Sequence, residues 1–472
     1  MRQTDNSVKY HQLRAAFPSF VYESFSLKEN AEGIGLEFCF RLNDELVFRP
    51  GMFFPDRDRF RSLPPGLKQT LAFHIGMVEM ISYWKASCSP RILVKPFRLS
   101  LEQEQWWKKL FRYGLGEFFY TNGIEMPGDE LFNFEYPEEA SDFQKHELSH
   151  LSESVIIPVG GGKDSVVTLE LLKVFGDENL PLVMNHRGAT RAVLNAAGYG
   201  PDSSLEIKRT LDPLLLKLNE QGFLNGHTPF SALLAFVTTF AAALTGKRYI
   251  ALSNESSANE ASIPGTKINH QYSKSFEFEQ DFRSYLADHL LSGINYFSFL
   301  RPLNEIQIGA LFSGFSRYHG VFKSCNAGSK TDSWCCNCSK CLFTWIMLSP
   351  FVADEKMTRI FGENLFEKPS LALLLDQLTG VADNKPFECV GTIDEVNAAL
   401  QESIRQRAGE KLPALLEYYE KQGQPDNGKN NFERFLTDFH EPHALESRFL
   451  KILKDAGIIN EPLGKFGAGN LN

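Results

Sequence analysis

Apolar positions along this chain change their rhythm three times. In residues 1 to about 150 they come as short runs of uneven period. Positions 21–25 and 35–48 read as strands, and GLEFCFRLNDELVFRP reads as a hairpin turning near Leu42, Asn43 and Asp44. Proline-rich turns follow at FFPDRDRFRSLPPG. Positions 69–83 and 101–121 then carry helical spacing. The second of these helices holds Trp106 and Trp107, placed either to pack this region on the next or to wall a ligand.

From about 151 to 350 the pattern becomes an alternation of short apolar runs and helical stretches. Runs at 155–159, 180–185, 205–208, 249–253 and 296–300 read as strands. Helical patterns fill 166–175, the stretch after Ala189, 229–244 and 277–291. Such alternation predicts an α/β fold, a mainly parallel sheet covered by helices on both faces, with active groups at the carboxyl ends of its strands. After Pro350 the chain turns helical at 369–378, 392–406 and 414–421. QGQPDNGKNN reads as a polar turn and GKFGAGNLN as a loose tail. The expected division is an α+β region at 1–150, a parallel-sheet domain at 151–350 and a helical extension at 351–472.

Composition narrows the class without naming an activity. At 472 residues, with 43% hydrophobic and 23% charged positions, the chain is neither disordered nor collagen-like. A net charge of −9 speaks against a nucleic-acid partner, which favours a basic surface. The amino terminus MRQTDNSVKYHQLRAAF lacks the apolar core of a signal peptide. The apolar stretch near 230–244 is short for a membrane span and is broken by Thr238 and Thr239. The expectation is a soluble cytoplasmic protein with no membrane insertion.

The sharpest chemical signal is VIIPVGGGKDS at 155–165. A strand delivers three glycines and a helix begins at once. Glycine lets backbone N–H groups crowd around an anion, and the helix start adds unpaired donors and a favourable dipole. Lys163 adds charge, Ser165 a hydroxyl, and Asp164 a carboxylate for a divalent ion. The spacing fits neither the Walker loop, which places Ser or Thr after the lysine, nor the Gly-x-Gly-x-x-Gly dinucleotide fingerprint. A second polar cluster follows the fourth strand, LSNESSAN at 252–259, and continues as KINHQYSKS at 267–275. Such density of carboxamide, hydroxyl, imidazole and ammonium groups suits a substrate pocket, although a solvated loop shares the composition.

The glycine segment resembles the pyrophosphate loop of ATP pyrophosphatases, usually Ser-Gly-Gly-x-Asp-Ser, with Gly160 standing where the family has Ser. Residues 160–165 together with LNGHTPF at 224–230 and the second cluster resemble the family of UDP-MurNAc-L-Ala-L-Glu epimerases of bacterial cell-wall synthesis, over nearly the whole chain. The resemblance implies a PP-loop (adenine nucleotide alpha-hydrolase-like) fold. It also implies ATP-dependent inversion of the terminal L-glutamate of UDP-MurNAc-L-Ala-L-Glu through an adenylated carboxylate, with AMP and pyrophosphate released. ATP and Mg²⁺ are the implied cofactors. Gly160, Gly161, Gly162, Lys163, Asp164, Ser165, His186, Arg187 and Asn254 are then candidates for the nucleotide, and Asp164 and Glu255 for Mg²⁺. Lys163, Asp164, Ser165, His227, Glu255, His270, Tyr272 and Lys274 are catalytic candidates, with the two faces of proton transfer unassigned. Lys267, Lys274 and Arg317 are candidates for UDP phosphates or the side-chain carboxylate. The loop alone leaves room for an amide or nitrile synthase, a tRNA-thiolation enzyme or a non-catalytic nucleotide binder.

Five of the 8 cysteines fall between Cys325 and Cys341. Their short spacings suit four thiolates around tetrahedral zinc or an iron–sulfur centre, while reduced thiols in a tight turn would look the same. The arrangement resembles the zinc site of the deazaguanine nitrile synthase. That likeness implies Cys325, Cys335, Cys338 and Cys341 as ligands and leaves Cys336 spare. Cys39, Cys88 and Cys389 read as scattered core or surface thiols.

Overall fold

The computed structural model describes residues 4–56, 59–128, 130–176, 178–200, 202–423 and 432–457. The expected tail GKFGAGNLN lies outside the described residues, as do residues 57–58 of the proline-rich turns and QGQPDNGKNN from position 424 onward.

Thirteen strands are described: β1 (Ser19–Asn30), β2 (Gly33–Arg41), β3 (Val47–Phe48), β4 (Gly51–Pro55), β5 (Arg91–Val94), β6 (Asn133–Glu135), β7 (His146–Glu147), β8 (Ser152–Pro158), β9 (Leu180–Met184), β10 (Leu205–Thr210), β11 (Lys247–Leu252), β12 (Leu291–Ser292) and β13 (Asn295–Ser298). Ten of them run across one sheet in the order β13-β11-β8-β9-β10-β4-β2-β1-β5-β6, with β3 added beside β2. The five strands from β13 to β10 are mutually parallel. β4 joins β10 antiparallel, so the amino-terminal hairpins extend the sheet of the parallel core.

The parallel part is doubly wound, and the burial pattern shows how. Val155 and Ile157 of β8 face one apolar cluster, and Ile156 faces the other. The helices after β8 and β9, Lys163–Leu172 and Gly188–Ala196, bury Val166, Leu169 and Val193 on the first face. Those after β10 and β11, Phe230–Thr245 and Phe276–Tyr285, bury Phe236, Phe240, Phe278 and Phe282 on the opposite face. The switch of faces falls between β8 and β11, the adjacent strands whose carboxyl ends carry the two polar clusters. Ligand crevices in open α/β sheets form at such a switch.

The expected strands at 155–159, 180–185, 205–208, 249–253 and 296–300 correspond to β8, β9, β10, β11 and β13, shifted by a few residues at most. The apolar 229–244 stretch is the buried helix Phe230–Thr245, stopped by Gly246 in the left-handed region at φ +67°. No helix of the described residues is long and apolar enough to cross a membrane. The helical pattern at 277–291 ends earlier than expected. After Tyr285 the chain widens into one π turn, Leu286–Leu290, and then forms β12. The helical carboxyl-terminal part is built on Ile393–Gln406, whose start is closed by a reciprocal Thr392–Glu395 capping box.

Trp106 and Trp107 are packing residues. The Trp107 ring stacks on Phe236 with centroids 5.3 Å apart, and its Nε1 donates to the Tyr285 hydroxyl at 3.0 Å. Trp106 Nε1 donates to the Asp281 carbonyl at 3.0 Å. Glu79, at the end of the helix Pro65–Glu79, receives a two-pronged bond from Arg209 of β10 at 2.8 and 2.9 Å. These contacts tie the amino-terminal region to the parallel core. Trp107→Ala should therefore cost about 3–5 kcal/mol, read as a lowered midpoint in urea unfolding followed by far-UV circular dichroism.

Candidate active site

The crevice at the switch point is a cavity of about 690 Å³. Its floor is the glycine loop. β8 ends at Pro158, and the helix Lys163–Leu172 opens with Gly162 as its N-cap. Gly161 sits at φ +86°, and a Cβ there would lie 3.0 Å from the Thr190 backbone nitrogen. A side chain at Gly162 would press on Ser324 Oγ at 2.9 Å. Gly161 therefore demands glycine, for its backbone and for its close approach to Thr190, whereas a side chain at Gly162 would require Ser324 to turn aside. Gly160, Gly162, Asp164 and Ser165 line the cavity, with Asn254, Arg187, Lys274, Lys323 and Lys340 around them.

Lys163 is not among the residues that line that space. Its ammonium is buried and pairs with both Asp164 and Glu305. Burial works against its charge, but the two carboxylates outweigh it and hold the lysine above its ordinary pKa. Glu305, absent from the sequence-level candidates, is the first residue of the helix Glu305–Gly314, and its own N–H donates to Glu395 at 2.8 Å. Ser165 Oγ donates to the Gly162 carbonyl at 2.9 Å and so braces the loop from within. Glu255 is buried near Asp164 and Lys274, and burial is the main cause of its raised pKa. Asn254 Nδ2 donates to Ser298 Oγ at 3.0 Å, which locks the carboxyl end of β11 to that of β13.

The remaining candidates divide. Arg187 lines the cavity, but His186 is exposed and paired to Glu206. Arg317 pairs with Glu170 at the surface, and Lys267 lies exposed over the Tyr113 ring. Tyr272 is a core residue between Tyr113 and Phe278.

His227 and His270 come together on a third residue that sequence reasoning missed. Glu117, buried in the helix Gly116–Thr121, bonds His270 Nδ1 and lies 3.3 Å from His227 Nδ1. The two imidazole rings are 4.5 Å apart between centroids. His227 is driven down to about 3, first by burial and then by the neighbouring His270 charge. Burial also opposes charge on His270, yet Cys389 and Glu117 overcome it and raise its pKa to about 9. One ring of the pair is thus neutral and the other cationic at neutral pH. Lys274 Nζ donates to Cys389 Sγ at 3.1 Å, so a thiol read as scattered belongs to this cluster. No local pattern announced that partnership, since 115 residues separate the pair.

Beside the cavity, Cys325, Cys335, Cys338 and Cys341 bring their sulfurs within 4.8 Å of one another. Sulfur separations include 3.9 Å from Cys325 to Cys338 and 3.5 Å from Cys338 to Cys341. The Gly328 N–H donates to Cys325 Sγ at 3.1 Å. Cys336 turns away, its Sγ meeting the Phe361 carbonyl at 3.3 Å. The loop around these sulfurs carries Lys323, Ser324 and Lys340 into the cavity wall, and the Lys323 N–H donates to the Gly161 carbonyl at 3.0 Å.

Comparison with known proteins gives the same outline at family level. A model described as MurL N-terminal domain matches residues 11–299, and one described as MurL C-terminal domain matches 321–431. A relative from Xanthomonas oryzae pv. oryzae is 33% identical over 365 residues, covering 76% of this chain and 79% of its own. Relatives from a Micromonospora strain and from Salinispora tropica are 36% and 35% identical, each over 69% of this chain and 72% and 71% of theirs. All three carry the name UDP-N-acetyl-alpha-D-muramoyl-L-alanyl-L-glutamate epimerase.

The two histidines should act oppositely on stability. The His270 contribution is fully present below the ordinary 6.5 and is lost as pH rises through about 9. The His227 contribution is present above 6.5 and is lost as pH falls toward about 3. His270→Gln should therefore remove a contribution that falls away between 6.5 and 9, read as a melting temperature that rises more, or declines less, with pH in the variant than in the wild type.

Proposed function

The chain belongs to the MurL family, and on that premise we propose that it inverts the terminal L-glutamate of UDP-MurNAc-L-Ala-L-Glu to D-glutamate for peptidoglycan synthesis, at the expense of ATP. The observation that carries the ATP-dependent part is the shared crevice. A glycine loop at a helix start and a polar cluster after β11 open onto one cavity at the switch point of the sheet.

The residues present fit a nucleotide triphosphate. The loop at 160–162 has no side chains to fill the space in front of the helix Lys163–Leu172, and a Cβ at Gly160 would meet nothing within 4 Å. Loop and helix-start amides hold phosphate oxygens there, with Arg187, Lys323 and Lys340 supplying positive charge from the walls. Asp164 and Glu255 hold Mg²⁺, an ion that is content with one or two carboxylates when phosphates complete its shell. ATP, when bound, supplies the adenylyl group that turns the glutamyl carboxylate into a mixed anhydride and so acidifies the neighbouring α-hydrogen. Lys163 contributes indirectly. Anchored on Glu305, it fixes the direction of Asp164. Lys274, which lines the cavity and is held protonated, would place positive charge beside a developing enolate oxygen.

The four-cysteine cluster holds one zinc-class ion with a structural task in this reading. Thiolates at these separations suit a closed tetrahedral site, which leaves no position open for substrate. The ion keeps the loop that carries Lys323, Ser324 and Lys340 against the glycine loop.

Incubation with UDP-MurNAc-L-Ala-L-Glu, ATP and Mg²⁺ tests the reaction. Chiral analysis after hydrolysis should find D-glutamate, AMP should accumulate, and solvent deuterium should enter the α-position. Inversion without ATP, or without solvent hydrogen, defeats the proposal. Asp164→Ala should lower turnover by about 100-fold or more, the scale of losing an electrostatic contact made in the transition state. For the cysteines, elemental analysis should find close to one metal ion per chain, and Cys338→Ser should lose both the ion and thermal stability.

A further inference from the structure

We propose that Arg209, at the carboxyl end of β10, holds the carboxylate of the terminal glutamate that is not adenylated, and so selects which of that residue's two carboxylates meets ATP. The inference deepens the epimerase reading and rests on it.

The substrate poses a choice. Its terminal glutamate is joined to L-alanine through nitrogen and leaves both the α- and the γ-carboxylate free. Only activation of the α-carboxylate acidifies the hydrogen beside it. A loop that recognises phosphates cannot tell one carboxylate from the other, so a second contact must fix the glutamate.

Arg209 is built for that contact. It lines the cavity, and its side chain is 14% exposed. Nε and Nη2 donate to the two oxygens of the buried Glu79 carboxylate at 2.8 and 2.9 Å, and Nη2 also reaches Ser82 Oγ at 3.3 Å. Nη1 has no hydrogen-bond partner among the described residues, so its N–H donors are kept for a ligand. The backbone is pinned as firmly. The Arg209 N–H donates to Asn185 Oδ1, and Asn185 Nδ2 donates back to the Arg209 carbonyl, both at 2.8 Å. Asn185 is also part of the cavity wall and sits at φ +50°, a left-handed conformation that asparagine adopts more readily than most residues. Glu79 balances the charge of Arg209, so recognition rests on directed donors. A guanidinium gripped along one edge and anchored through its own peptide group is pre-organised for a carboxylate at the edge left free.

The other cations of the cavity stand elsewhere. Arg187 is the N-cap of the helix after β9, and the Lys323 N–H donates to the Gly161 carbonyl at 3.0 Å. Lys340 lies in the first turn of the helix Ser339–Leu348, and Lys274 donates to Cys389 Sγ at 3.1 Å. Arg209 instead ends the strand two places from β8, roughly 10 Å across the sheet at the usual strand spacing. That separation leaves room for an α-phosphate and the reacting carboxylate between the glycine loop and the guanidinium. Phe230 and Leu234 line the same cavity and offer apolar surface to the methylenes of a glutamyl side chain.

The experiment uses the full-length chain and two substrates, UDP-MurNAc-L-Ala-L-Glu and its isostere ending in L-glutamine. The isostere keeps the α-carboxylate and replaces the γ-carboxylate with a carboxamide. The wild type should invert the isostere with kcat/KM lower by about 100-fold or more, the scale of leaving a charge-assisted donor without its partner. Arg209→Gln should lose about as much on the natural substrate, yet separate the two substrates by no more than about threefold. That variant strands the buried Glu79 carboxylate, so the double variant Glu79→Gln, Arg209→Gln is measured beside it, with folding checked by circular dichroism. Titration calorimetry without ATP repeats the comparison without turnover: the wild type should bind the glutamate substrate more tightly than the isostere, and the variants should not. A folded variant that keeps the wild-type preference for glutamate, or a wild type with no preference, overturns the role of Arg209. A wild type that binds with the preference but forms neither AMP nor D-glutamate refutes the epimerase reading and leaves the carboxylate site standing.

Discussion

The site depends on a constraint of chain winding. Parallel strands need crossovers, and crossovers are right-handed, so strands added on opposite sides of β8 send their helices to opposite faces of the sheet. β9 and β10 lie on one side of β8, and β11 and β13 on the other. The two connections leaving β8 and β11 must therefore part, and no helix fills the gap between them. The glycine loop, the end of β11 at Asn254 and the cysteine-rich loop all occupy or border that gap.

Within the gap, charge is arranged by burial as much as by sequence. Lys163 looks like a phosphate ligand on paper because it follows three glycines. In the structure its long side chain finds Glu305 on the helix Glu305–Gly314, which packs on the helix that begins at Lys163. The ammonium becomes an internal tie. The cavity draws its positive charge from Arg187, Lys274 and the cysteine-rich loop's Lys323 and Lys340 instead, residues from three different segments. A buried ion pair of this type is poor evidence of stability, but removing one partner leaves a stranded charge.

What was legible beforehand follows the range of the interactions. The strands β8, β9, β10, β11 and β13 announce themselves as short apolar runs between helices, because both faces of a parallel sheet are buried. The glycine loop is local and was visible in full, as was the clustering of cysteines. The helix Ser339–Leu348 was not, since SKCLFTWIML is apolar nearly all round and shows no stripe. Glu305 and Glu117 escaped notice because ordinary glutamates acquire meaning only from partners more than a hundred residues away. Cys389 is the clearest case. Its neighbours in sequence are unremarkable, and its bonding partner Lys274 lies 115 residues away.

The pairing of β10 with β4 has a further consequence for anyone who would divide this chain. The amino-terminal hairpins and the parallel core share hydrogen bonds along that seam, so a cut between them leaves each fragment with a raw row of unsatisfied N–H and C=O groups. Such an edge is a template for pairing with any strand it meets. Fragments split at the seam should clump or recapture each other, and complementation between two halves becomes a natural way to make this fold assemble on demand.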